Sequence, residues 1–226
     1  KKHKITARRF TAFGDTWRFP AFEKIDPQHG LIGSPFYEED EDRWCLLAEI
    51  VDVSLPIRVR LVVRDRDGEK FVVAFYPDNR DAEGPDVGKR RVGHTIALAY
   101  PRQRMFLDGT QGVRVEDLSS YRVFPVGLDK LFQISAELLS YTGPPDAPKR
   151  CYSCRNPKAR LSKCGGYGLY SYCNKICQAD HWNEFGQKEE CKVLRDPNFV
   201  AMINITDGEG EMRFRFPVSI GRMKTV

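Results

Sequence analysis

Six cysteines, Cys151, Cys154, Cys164, Cys173, Cys177 and Cys191, fall within 41 residues, and only Cys45 lies elsewhere. Two chemistries use cysteines grouped in this way. A disulfide framework suits small secreted domains. The amino terminus, Lys1-Lys2-His3-Lys4 followed by Arg8, Arg9 and Phe10, lacks the apolar core of an export signal. A metal site in a reducing, intracellular setting, nuclear or cytoplasmic, is therefore the better account. No run approaches the ~18 apolar residues of a membrane span.

Spacing narrows the chemistry. Cys151-Tyr-Ser-Cys154 is the two-residue-spaced pair that lets two thiolates grip one tetrahedral ion. Cys173 and Cys177 are four apart, which on a helix places them one turn above each other on one face. Together they make a four-sulfur site with no open position, the signature of structural zinc. Such an ion supplies roughly 10–16 kcal/mol of apparent binding energy, enough to fold a short segment with little core of its own. Cys45 has no ligand-like neighbour and reads as a buried thiol.

The rest of the chain is organised around that site. Of its 226 residues, 41% are hydrophobic and 30% charged, a folded-protein composition, and 36 basic against 31 acidic residues leave only +5. That balance permits contact with polyanions without demanding it. Residues 1–44, with Phe10, Phe13, Trp17, Phe19 and Phe22 among prolines, read as an arm that packs by its aromatics. Residues 45–142 read as short strands: Ile57, Val59, Leu61 and Val63 alternate with Arg58, Arg60, Val62 and Arg64, and a two-residue turn is expected at Asp67-Gly68. Further strands are expected near 95–100, 104–107, 113–115 and 121–124, with a helix from Leu128 to near Tyr141 closing the unit. The expected class is mainly β with small α: an OB-like antiparallel barrel, a linker over 143–150, a zinc finger over 151–192, and a C-terminal β-hairpin over 193–226 made of Phe199–Thr206 and Glu211–Ile220.

The run Cys151-x2-Cys154, Cys164, Tyr172-Cys173-x3-Cys177-Gln178, His181-Trp182 and Cys191 resembles the MYND zinc finger. Val87–Leu131 is also similar to the segment that precedes the finger in a group of fungal MYND proteins. The resemblance implies two interleaved zinc sites. The first maps onto Cys151, Cys154, Cys173 and Cys177. The second maps onto Cys164, Tyr167, Gln187 and Cys191, where tyrosine and glutamine stand in place of two ligands. This half is expected to be held by packing of Tyr167 against Gln187, with His181, Cys164 and Cys191 as the candidate set for a second ion. The resemblance further implies a finger that binds proline-containing peptides in recruiting transcriptional regulators, with Tyr170, Gln178 and Trp182 as candidate contacts.

The expected function is a non-enzymatic adaptor that recruits a protein partner, or serves as a subunit of a larger complex. The enzymes that carry such fingers surround them with cofactor-binding glycine and asparagine-histidine motifs, which are absent here, and the four histidines are scattered. A second reading is a single-stranded nucleic-acid module. If Asp67-Gly68 forms a two-residue turn, Arg60 and Arg64 lie beside Phe75 and Phe71 on the barrel exterior, a stacking platform to be used with the basic arm unless the arm or the last hairpin covers those rings.

Overall fold

Alternating apolar residues build one sheet. Leu46, Ala48 and Ile50 of β1 (Cys45–Ser54), Leu61 and Val63 of β2 (Arg60–Asp65), and Phe71, Val73 and Phe75 of β3 (Lys70–Phe75) all turn into a single core. Ile96 and Leu98 of β4 (Thr95–Ala99), Val113 and Val115 of β6 (Gln111–Val115), and Tyr121 and Val123 of β7 (Tyr121–Phe124) join them, while β5 (Gln103–Met105) lies at the margin. This is the period-2 pattern of strands with one buried face. The computed structural model describes residues 12–25, 45–54, 59–78, 86–142, 148–158, 160–165, 168–184, 187–203 and 216, without the side chains of 184 and 187–189. No described helix is long and apolar enough to cross a membrane.

The chain divides into two compact units, one built on Phe13–Leu131 with Met212–Ser219, the other chiefly on Phe132–Glu211. The first holds the seven-stranded sheet, in the order β5-β6-β3-β2-β1-β4-β7. Neighbours pair antiparallel except β3 and β6, which run parallel, so the sheet is mixed. Among the described residues it is open, not the closed barrel expected. The edges show why. β5 offers only three residues, and on β7 the Val123 N–H donates at 3.1 Å to the Asp86 carboxylate, not to a strand.

Of the arm's described aromatics Phe22 joins this core, and Trp17 is exposed. Phe22 lies flat on Phe71 with ring centroids 4.1 Å apart, and Phe13 and Phe19 are buried. Asp65, itself buried, anchors Phe22: its carboxylate accepts the Phe22 N–H at 2.7 Å and the N–H groups of Asp67 and Glu69 at 3.0 and 2.9 Å.

That same carboxylate fixes a turn that differs from expectation. Asp65 faces Glu69 across three residues, Arg66-Asp67-Gly68, with Gly68 at φ 90°, so Val63 pairs with Phe71 and Arg64 with Lys70. The two-residue turn would have paired Arg64 with Phe71. Shifting register by one residue exchanges the two faces of a strand, and here it turns Phe71 and Phe75 inward. The expected Arg/Phe platform is therefore absent: both rings are buried, Arg60 is paired with Asp108 at 2.7 Å, and Arg64 lies 3.4 Å from Glu49. The β5–β6 turn repeats this solution, with Phe106 bonded to Thr110 across Leu107-Asp108-Gly109 and Gly109 at φ 78°.

Helix α1 (Leu128–Thr142) starts in the sheet unit, where the Leu128 N–H donates to Glu49 at 3.0 Å, and the unit boundary falls between Leu131 and Phe132 within it. The second unit holds the rest of α1, the short ladder of β8 (Ser162–Lys163) and β9 (Ser171–Tyr172), and helices α2 (Lys175–Glu184), α3 (Gln187–Leu194) and α4 (Pro197–Ile203). Helix α4 replaces the first strand of the expected C-terminal hairpin. Asp196 caps it by accepting the Asn198 N–H at 2.9 Å, Pro197 occupies the first turn, and Phe199, Met202 and Ile203 are buried at helical spacing. The second expected strand lies outside the described residues except for buried Phe216, whose N–H donates to the Ser119 carbonyl.

Candidate metal centre

Two local structures bring four cysteines together. Cys151-Tyr152-Ser153-Cys154 forms a tight turn in which the Arg155 N–H donates to the Cys151 carbonyl at 2.9 Å and the Cys151 N–H to the Asn156 carbonyl at 3.0 Å. Arg155 takes a left-handed conformation, φ 60°, and lays its guanidinium over the Tyr152 ring. The other pair sits where β9 meets α2. Asn174 caps that helix, its side-chain oxygen accepting the Cys177 N–H at 2.9 Å, so Cys173 precedes the first turn and Cys177 lies within it.

The result is a compact sulfur cluster. The Sγ atoms of Cys151, Cys154, Cys173 and Cys177 all lie within 4.8 Å of one another, and those of Cys154 and Cys173 are 3.7 Å apart. Four sulfurs at about 2.3 Å from a zinc ion stand about 3.8 Å apart, so the arrangement fits a tetrahedral ion. Charge points the same way. Burial opposes ionisation of Cys151, yet backbone N–H groups, those of Cys154 and Cys173 foremost, outweigh it and bring the thiol down to about 7. Desolvation and then the neighbouring thiols of Cys151 and Cys154 push Cys177 up to about 12, and Cys173 is raised for similar reasons. Four thiols so close share little negative charge by themselves, and a divalent cation removes that conflict.

The knuckle is held from behind by α1, a contribution the sequence reading missed. The Tyr141 hydroxyl donates to the Arg150 carbonyl and accepts the Ser171 N–H, both at 3.0 Å, tying together the residue before Cys151 and the strand that leads to Cys173. The Tyr152 hydroxyl donates to Glu137 at 2.8 Å. Glu137 and Tyr141 are one helical turn apart, and that polar pair is the only sequence signal of this role. Tyr141→Phe is expected to lower the stability of the metal-loaded unit by about 1–3 kcal/mol, because two backbone groups lose their partner. Thermal unfolding followed by tyrosine signals checks this.

Of the remaining candidates Tyr170 departs from expectation. Tyr170 is fully buried and stacks on Tyr152 with centroids 3.7 Å apart, so it is core, not a peptide contact. Gln178 is half-buried and donates to the Cys164 thiol at 3.8 Å, whereas Trp182 is 43% exposed. Cys164 and Cys191 are both buried, and burial followed by the proximity of Cys164 raises the Cys191 thiol. His181 does not join them. It is buried, with Nδ1 2.8 Å from the Tyr172 hydroxyl and Nε2 3.9 Å from Glu190. Among the described residues the four-cysteine cluster is the one group of His, Cys, Asp or Glu able to hold a metal ion. Tyr167 and the side chain of Gln187 lie outside the described residues. Cys45 lies in β1 of the sheet unit, its thiol strongly raised by burial. No protein-family model matches the sequence, and no curated protein matches it.

Proposed function

We propose that this chain is a non-enzymatic interaction protein whose second unit is a MYND-like finger built around one structural zinc ion. The observation that carries this reading is the closed set of four sulfurs within 4.8 Å of one another. With every ligand a thiolate and no position left for water, the ion organises the chain and does no chemistry on a substrate. Cys151 and Cys154 would hold it from the knuckle, Cys173 and Cys177 from the start of α2.

The working surface on this reading is α2, which the metal fixes at its first turn. Ile176 and Trp182 on that helix are 69% and 43% exposed, two apolar side chains with no place in the core. A protein partner docking there, as the finger's resemblance suggests for recruitment of transcriptional regulators, would cover them. Co-purification from cells tests this: a partner retained by the unaltered chain and lost with both Ile176→Asp and Cys177→Ser supports it. Partners recovered equally by all three would refute it.

A further inference from the structure

The finger carries an unusual charge distribution. Between Pro148 and Gln178 the chain has seven Lys and Arg residues and no Asp or Glu, although the protein as a whole is close to balanced. Four thiolates around a divalent ion contribute only about −2, so the block stays strongly positive. All seven side chains are exposed. No ion pair joins any of them to a described acidic residue.

The fold concentrates this charge. Arg150 adjoins Cys151, Arg155 adjoins Cys154, and Lys175 lies between Cys173 and Cys177, so the ligands that converge on one ion also gather three cations around it. Behind them Arg150 bridges to Pro157 in antiparallel register, and the Lys158 N–H donates to the Lys149 carbonyl at 3.3 Å. Lys149 and Lys158 therefore stand opposite each other. Like charges directly across a ladder are destabilising, a cost that an anion on this face removes. Lys163 extends the patch along β8.

We infer that the partner of this finger is an acidic peptide segment with an apolar anchor: its carboxylates lie over the basic knuckle and its anchor rests on exposed Ile176, which adjoins Lys175 and Cys177. The inference rests on the peptide-binding reading above and adds the charge of the ligand. A nucleic-acid strand fits less well. Phosphates offer nothing to an exposed isoleucine, and Tyr152, Tyr170 and Tyr172 are buried, so among the described residues of this unit Trp182 is the one exposed ring, short of the succession of rings on which a strand stacks.

The test uses the full zinc-loaded chain and fluorescence anisotropy with three probes. The first is a peptide with a central proline-containing apolar anchor flanked by glutamates, the second is the same anchor flanked by serines, and the third is a single-stranded DNA oligonucleotide. The expected result is at least ~10-fold tighter binding of the glutamate-flanked peptide at low salt, weakening as salt screens the charges. Lys158→Glu with Lys163→Glu should abolish that advantage while metal content and the thermal transition stay unchanged. Equal binding of both peptides would overturn the inference and leave the peptide-binding reading standing. Failure of both peptides would overturn both, and binding of the single strand alone would reassign the surface to nucleic acid.

Discussion

Cys173→Ser is expected to cost the chain its metal ion and, with it, the fold of the knuckle, β9 and the start of α2. The physical reason is that a structural zinc contributes folding energy outright, roughly 10–16 kcal/mol at neutral pH, and a serine hydroxyl is a poor replacement for a thiolate. Cys173 also donates its N–H to the Cys151 sulfur at 3.4 Å, so losing its place loosens two ligands at once. The readout is bound zinc per chain together with protease resistance of the region around Cys151. Cys164→Ser is the matched control, since Cys164 is buried but stands outside the four-sulfur cluster. It should leave the metal content unchanged. Acid should act as the mutation does: the ligands bind as thiolates, so affinity falls as pH drops and protons compete for the sulfurs.

Gly112→Ala is expected to be the most damaging single-methyl change in the sheet. A Cβ placed there would lie 1.9 Å from the Val72 carbonyl oxygen and 2.7 Å from its carbon, both backbone atoms. No rotamer relieves such a clash, because Cβ is fixed by the backbone itself. Gly112 pairs with Val72 in the parallel β3–β6 ladder, so the ladder must open there, and Val113 and Val115 lose their places in the core. A loss of about 3 kcal/mol or more in denaturant unfolding is expected, beyond an ordinary substitution. Gly88→Ala meets no atom within 4 Å and should be nearly neutral. A similar midpoint for the two variants would mean that β6 does not lie against β3 as described.

The two predictions differ in how far the sequence announces them. The metal cluster was legible because its chemistry is local: two residues separate Cys151 from Cys154, one helical turn separates Cys173 from Cys177, and each spacing dictates a geometry by itself. The strands of the sheet were legible by alternation, as in the Leu61 and Val63 pattern. Their register was not. Asp67-Gly68 signals a hairpin equally well as the whole of a two-residue loop or the end of a three-residue one, and the choice decides which face Phe71 and Phe75 occupy. The apolar area of those two rings, each worth about 1.5–3 kcal/mol when buried, is what decides it. The parallel β3–β6 pair and the open sheet depend on long-range contacts that no local pattern encodes. Helix α4 differs for another reason: Asp196-Pro197 is a helix start, while Val200 and Ile203 after it carry strand propensity, so local signals conflict. Tyr141 lies outside the apolar period of α1, so its links to Arg150 and Ser171 leave little local signal.

The account turns on one ion held by four sulfurs, and zinc-edge X-ray absorption of the purified full chain, combined with its metal content, tests that most directly. One zinc per chain in a shell of four sulfurs at about 2.3 Å is the result expected. A shell containing nitrogen or oxygen, or a second ion bound with equal occupancy, would contradict it.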